Sequence, residues 1–165
     1  MAPLPRIGLL GIMQELYDEM LPGITERQGG YARELGEVLA GVADVVVADP
    51  AKERDQIEER MRFLESQGLD GLLVVNLTYG PAMRVARVLS ETRLPICLAN
   101  IQPVPSVTAE WDMADLTYNQ GIHGAQDTAA AARTRSPGAT ASICGPSERM
   151  NACGSTRMSP IPFMA

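Results

Sequence analysis

An almost unbroken apolar run at 71–77 (GLLVVNL) constrains the fold of this chain more than any other feature. A strand that helices cover on both faces of a parallel sheet is apolar at nearly every position, whereas a half-exposed strand alternates with polar residues. Shorter runs of the same character recur along the chain. The sequence therefore predicts four strands of a mostly parallel sheet, at 6–12 (RIGLLGI), 44–47 (DVVV), 69–77 (LDGLLVVNL) and 95–99 (PICLA).

Amphipathic helical patterns lie between these predicted strands. One is expected over 81–90, and the clearest covers 51–67, where three apolar residues recur on one face: Ile57, Met61 and Leu64. Because strand and helix alternate and such crossovers are right-handed, the expected architecture is a three-layer α/β sandwich of four to five strands.

The first long helix is predicted at 25–42, after a loop at 13–24. Thr25 is typical of an N-cap, and Gln28, three residues later, would complete a capping box. The inner face of this helix is predicted to carry Tyr31, Leu35, Val38, Leu39 and Val42.

Charge and composition disfavour several classes of partner. The net charge is −6 and the isoelectric point about 4.8, so we expect no binding to nucleic acid or to an anionic membrane. No apolar run approaches the roughly 20 residues of a membrane span. The amino terminus lacks a signal-peptide pattern, which predicts a cytoplasmic protein. The three cysteines lack the CxxC spacing of a zinc site.

The segment 117–127 (TYNQGIHGAQD) holds the single histidine, three side-chain amides and two glycines, and we expect it to open a helix that runs through the alanines at 129–132. Ligands of open α/β sheets bind beyond the carboxyl ends of the strands. The segments at those ends, 13–17, 76–80 and 100–102, contain amides or phenols. This pattern favours a small polar ligand, such as a sugar, at that edge of the sheet.

Other site chemistries have weaker support. The sequence has no glycine-rich phosphate-binding fingerprint and no local signature of a catalytic triad. A group of Glu110, Asp112, Asp115 and His123 could hold a metal, but loop solvation and helix capping explain its spacing better. For His123 a ligand contact and a structural role are both open.

Three segments resemble the amino-terminal region of the L-arabinose isomerase family, within the wider arabinose/fucose isomerase group. They are 11–17 (GIMQELY), 71–81 (GLLVVNLTYGP) and 119–124 (NQGIHG). The family has similar Ser-Gln-x-Leu-Tyr, Thr-Phe-Ser-Pro and Asn-Gln-x-x-His-Gly motifs, in this order and at similar spacing. The resemblance covers roughly 6–133.

The resemblance implies a Rossmann-like (flavodoxin-like) domain over 1–133 of a homo-oligomeric enzyme of carbohydrate metabolism, whose loops contact the sugar in a neighbouring subunit's site. The residues carried over by position as sugar-contacting or site-closing are Gln14, Leu16, Tyr79, Gln120 and His123. Tyr79 stands where the family has phenylalanine.

Catalysis in the family is aldose–ketose interconversion, in which Mn²⁺ polarises the sugar oxygens and paired glutamates move the proton. Those groups belong to domains downstream of this one, so the resemblance implies no catalytic residue, metal ligand or cofactor in this chain. We therefore expect the chain alone to be inactive. The competing hypothesis is a stand-alone, non-catalytic α/β module that binds a small polar ligand or a partner protein.

The segment 134–165 differs in character from the rest, being rich in Ser, Pro and Met with a single acid, Glu148. Only 139–144 (ATASIC) could add a fifth strand. The chain has one lysine against thirteen arginines, a bias that suggests GC-rich DNA, and we hypothesise that this tail is a frame-shifted and poorly ordered extension. A genuine short protein with a disordered tail is the alternative.

Overall fold

The computed structural model describes residues 3–135, and these form an α/β fold around a four-stranded parallel sheet. The strands lie in the order β2-β1-β3-β4. Their bounds are Arg6–Ile12 (β1), Asp44–Val47 (β2), Gly71–Asn76 (β3) and Ile96–Ala99 (β4). All four predicted strands and their parallel pairing are confirmed. The predictions for 139–144 and for the tail beyond residue 135 lie outside the described residues.

Six helices accompany the sheet in this part of the chain. They are α1 (Leu16–Met20), α2 (Ile24–Leu39), α3 (Arg54–Glu65), α4 (Ala82–Glu91), α5 (Met113–Tyr118) and α6 (Ile122–Arg135). The predicted long helices are confirmed with small changes of bounds. The short helix α1 lies in the segment 13–24, which the sequence predicts as a loop, and the short helix α5 is an element that the sequence does not predict.

The apolar run of β3 is explained by its two faces. Val74 and Val75 are both fully buried, yet their side chains belong to different clusters. Val74 packs with α3, α4 and α6, and Val75 packs with α2. Burying each such side chain contributes roughly 1.5–3 kcal/mol. The fold is therefore the expected Rossmann-like three-layer sandwich, with helices on both faces of the sheet.

The predicted amino-terminal cap of α2 is wrong. The N-cap is Gly23, whose φ of 86° is left-handed, and the helix begins at Ile24 without a side-chain cap. Thr25 instead donates from its hydroxyl to Asp18 Oδ1 at 2.5 Å. Gln28 is fully buried and bonds to other segments, so it takes no part in a capping box.

Part of the predicted inner face of α2 is also wrong, because Val38 and Val42 are 60% and 64% exposed. The buried stripe consists of Ile24, Gln28, Ala32 and Leu35, continued by the partly buried Leu39. Val38 lies one position, or about 100°, round the helix from Leu39 and therefore faces solvent. Val42 lies beyond the end of the helix.

Candidate functional site

The strand order places a topological switch point between β1 and β3. From β1 the chain crosses to β2 on one side, and from β3 it crosses to β4 on the other. Their following loops therefore diverge and leave the crevice in which sheets of this type bind ligands. The two loops are tied across the crevice by the backbone N–H of Gln14, which donates to Thr78 Oγ1 at 3.2 Å.

The amino end of α6 closes one side of this crevice by packing directly on the end of β3. A β-carbon added at Gly121 would lie 2.3 Å from the carbonyl oxygen of Asn76, and one at Gly124 would lie 2.7 Å from Asn76 Oδ1. The Gly124 position is also 2.9 Å from the backbone nitrogen of Gly80. Positions 121 and 124 thus require glycine, because the chain passes so close to Asn76 that a side chain does not fit. The sequence does not reveal this contact.

Tyr17 and Gln120 meet at this edge although they are 103 residues apart, because the Tyr17 hydroxyl donates to Gln120 Oε1 at 3.4 Å. Burial, followed by the nearby Tyr79 phenol, raises the pKa of Tyr17, so its hydroxyl is protonated at neutral pH. Gln120, Tyr17 and Tyr79 therefore lie in one neighbourhood, on α1 and on the loops that follow α5 and β3.

Of the other three residues carried over by the resemblance, Leu16 and His123 lie at the outer surface of the same region. Leu16 is the first residue of α1 and is 51% exposed. His123 lies in the first turn of α6, is exposed, and directly precedes the tightly packed Gly124. Gln14 is partly buried in the loop that follows β1.

Three side-chain amides at the carboxyl ends of the strands have buried polar atoms without a hydrogen-bond partner in the described part of the chain. These atoms are Gln14 Oε1, Asn100 Oδ1 and both polar atoms of the Asn76 carboxamide. Asn76 and Asn100 meet around Gly121, whose β-carbon position is 3.4 Å from Asn100 Oδ1. Because most buried polar atoms in proteins are satisfied, such a concentration at one strand edge marks this edge as unusual.

Gln28 supports the site and is not the capping residue that the sequence predicts. Its Nε2 donates to the carbonyl oxygen of Leu77 at 2.6 Å and to that of Tyr118 at 3.0 Å. It therefore joins the loop after β3 to the end of α5. A polar residue on the otherwise apolar stripe of α2 is the sequence signal that could have revealed this role.

Asn119 fixes the loop that carries Gln120. Its Oδ1 accepts from the backbone N–H of Val104 at 3.0 Å, and its Nδ2 donates to the carbonyl oxygen of Asp115 at 2.8 Å. The side chain of Gln102 donates to the Asn119 carbonyl oxygen at 3.0 Å. All polar atoms of this buried side chain are thus used for structure.

The acidic residues before Asn119 act as helix caps, as the sequence analysis favoured. Asp112 is the N-cap of α5, and its Oδ1 accepts from the backbone N–H groups of Ala114 and Asp115 at 2.7 and 3.0 Å. Asp115 Oδ2 accepts in return from the backbone N–H of Asp112 at 3.2 Å. Both carboxylates serve the backbone of their own helix.

Two charged residues near the carboxyl ends of β1 and β2, Lys52 and Asp18, are paired with each other. Lys52 forms an ion pair with Asp18 and donates to Thr25 Oγ1 at 3.1 Å. Burial pushes the pKa of Asp18 upwards, but the hydrogen bonds from Lys52 and Thr25 and the charge of Lys52 outweigh it, so that this pKa lies below its usual value.

A second charged group there joins α3 to α4. Arg84 contacts Glu53 Oε1 at 2.7 Å and donates to the carbonyl oxygen of Lys52 at 2.7 Å. A hydrogen bond with the carboxyl group of Glu15 raises the pKa of Glu53, which the positive charge of Arg84 opposes. These pairs hold the loops that follow β1 and β2 against α3 and α4.

The metal that the resemblance implies finds no matching donor set here. Among residues 3–135, no group of three or more His, Cys, Asp or Glu side chains is placed to hold a metal ion. In the same part of the chain, no helix combines the length and apolarity that crossing a bilayer requires.

Comparison with protein-family models and with curated proteins gave no match to this chain.

Proposed function

We propose that this chain is the sugar-contacting domain of an L-arabinose isomerase-like aldose–ketose isomerase. One observation supports it above the others: residues from all three segments that resemble the family meet at one edge of the sheet. Gln14 and Thr78, which are 64 residues apart, are joined by a hydrogen bond, and so are Tyr17 and Gln120.

The chemistry of this edge suits a neutral polyhydroxylated ligand. Carboxamides and phenols both donate and accept hydrogen bonds, which matches the hydroxyl groups of a sugar. Tyr17 and Tyr79 add aromatic surface, and His123 adds the only imidazole of the chain. Two charged pairs nearby, Lys52 with Asp18 and Arg84 with Glu53, are ion pairs that leave these side chains engaged with each other.

In this proposal the chain binds and orients sugar, and other parts of the enzyme supply the proton transfer and the manganese. The single histidine of the chain supports this division, because the isomerase reaction requires a set of metal ligands. The edge would then complete an active site shared with a neighbouring subunit in a homo-oligomer.

The test is a titration of the full chain with L-arabinose and, separately, with L-arabinitol. Binding is monitored by ligand-observed NMR. We expect binding in the millimolar range, on the order of −4 kcal/mol, because only part of the sugar is covered. Gln120→Ala and His123→Ala should each weaken binding several-fold, the effect of one lost hydrogen bond of about 0.5–1.5 kcal/mol.

Gln67→Ala is the matched control, because Gln67 precedes β3 and therefore lies at the opposite edge of the sheet. It should leave binding unchanged. Equal loss in all three variants, or no saturable binding to either compound, contradicts the proposal and favours the stand-alone module. In a parallel assay with Mn²⁺ the chain alone should form no ketose, and turnover would contradict the assignment of catalysis to other parts of the enzyme.

A further inference from the structure

β2 is an outermost strand of the sheet, and its free lateral side presents unused backbone hydrogen-bonding groups. This lateral edge is distinct from the carboxyl ends of the strands, where the candidate site lies. β2 is the first strand in the sheet order, and its inner side is held by β1 through Asp44 N–H to Pro5 O at 2.9 Å and Ala48 N–H to Leu9 O at 3.0 Å. Because successive residues of a strand point their N–H and C=O groups to opposite sides, those of Val45 and Val47 point outwards. No described strand pairs with this side.

A groove of about 510 Å³ runs between this edge and α2. Val45 and Val47 form part of its floor, and Gly36 lies so close to the strand that its β-carbon position is 2.8 Å from Val47 Cγ2. An open, half-apolar strand edge of this kind is a template for pairing with another strand.

Two opposite charges line the α2 side of the groove. Arg33 and Glu37 are exposed, lie one helical turn apart, and form no ion pair within the described part of the chain. The net charge of −6 opposes association of two chains unless opposite charges are matched locally.

We propose that a second copy of this chain docks on this edge, about a two-fold axis perpendicular to the sheet. The two β2 strands then pair antiparallel, with Val45 opposite Val47 of the second copy and the reverse. Each pair exchanges two hydrogen bonds, and the two sheets become one sheet of eight strands. In this register Asp44 faces Ala48 of the second copy, so like charges do not meet.

The same axis places the two α2 helices antiparallel on one face of the joined sheet. Arg33 of each copy then faces Glu37 of the other, which forms two reciprocal ion pairs. A strand from an unrelated protein could also pair with the edge. A second copy brings the complementary charges at the required spacing without any further requirement, because the two-fold axis presents the same Arg and Glu in reverse order.

The test is sedimentation equilibrium of the full chain between about 1 and 500 μM, with a charge-reversal cycle. Arg33→Glu and Glu37→Arg should each raise the dimer dissociation constant roughly tenfold or more, because each converts two attractive pairs into repulsive ones. The double variant should restore the original value to within about threefold, since the pairs are then formed with their signs exchanged.

Glu34→Arg and Arg54→Glu are charge-matched controls, because both residues are exposed and neither lines the groove. They should leave the dissociation constant within about threefold of the original. Val45→Pro removes an outward N–H while sparing the bonds to β1, so it should also weaken the dimer, with circular dichroism confirming the fold. A chain that stays monomeric at all concentrations overturns the proposal, and so does a dimer that the charge-reversal cycle does not affect.

Discussion

Gly124 lies against the side-chain carboxamide of Asn76 so closely that a β-carbon at this glycine would come within 2.7 Å of Asn76 Oδ1. The contact joins the amino end of α6 to the carboxyl end of β3. It therefore determines where Gln120 and His123 stand relative to the loops after β1 and β3.

Gly124→Ala should destabilise the chain by about 1–3 kcal/mol, because the added methyl group must displace either Asn76 or the backbone of Gly80. Urea denaturation measures the change. Gly41→Ala is the control, since a β-carbon there meets nothing within 4 Å, and its effect should stay within about 0.5 kcal/mol. Equal stability of the two variants would show that α6 does not pack on β3 in this way.

Gln28→Met should cost about 1–3 kcal/mol, because it leaves the carbonyl oxygens of Leu77 and Tyr118 without their donor in a buried position. The side chains are of similar size, so the loss reports hydrogen bonding rather than volume. Gln67→Met, on the surface, should be nearly neutral when measured by the same denaturation experiment. A neutral Gln28→Met variant would contradict the bridging role of this side chain.

The ion pair between Asp18 and Lys52 should make the chain sensitive to acid. The pKa of Asp18 in the folded chain lies below its usual 3.8, so the unfolded chain binds the proton first as the pH falls. The stabilisation is thus present above about pH 4 and is lost as the pH falls through the folded pKa.

Asp18→Asn should remove this part of the pH dependence, which thermal melts between pH 2.5 and 7 would follow. Asp49→Asn is the control, because the exposed Asp49 carboxylate forms no hydrogen bond or ion pair in residues 3–135. The control should follow the pH dependence of the parent chain. If the pH dependence of Asp18→Asn also coincides with that of the parent chain, the prediction is refuted.

Tyr31→Phe should be neutral at pH 7 or should stabilise the chain by up to about 1 kcal/mol, because the Tyr31 hydroxyl is buried and has no partner among the described residues. Burial and then the nearby Glu34 raise the pKa of Tyr31 to about 12. Stability should therefore fall between about pH 10 and 12 in the parent chain and less in the variant. A loss above 1 kcal/mol at pH 7 would reveal a hydrogen bond to this hydroxyl.

The sheet is predictable from the sequence because each strand has a local signature. The bounds of β1 and β2 agree with the predicted 6–12 and 44–47, and β3 lies inside the predicted 69–77. The helix α3 begins at Arg54 rather than at 51, because Ala51 still pairs with Ile12 at the end of the sheet. That contact between distant residues has no signature in the helical pattern.

The short helices and the supports of the site were not predictable in the same way. The helices α1 and α5 span five and six residues, too few to show a periodic apolar face, and they are stabilised by contacts with α2 and the sheet. The close packing of Gly121 and Gly124 on Asn76 is a contact between residues that are distant in the sequence, so no local pattern indicates it. The capping box of Asp112 and Asp115, by contrast, is visible as two acids three residues apart.

The most direct test of the central claim is ¹H–¹⁵N NMR of the full chain during titration with L-arabinose. We predict saturable shifts confined to the backbone amides of 14–17, 78–80 and 118–124, which surround the crevice between β1 and β3. Gln67, at the opposite edge, should not respond. Shifts that cluster elsewhere, or the absence of saturable shifts up to about 100 mM sugar, a limit that covers dissociation constants well into the millimolar range, would contradict a sugar site at this edge.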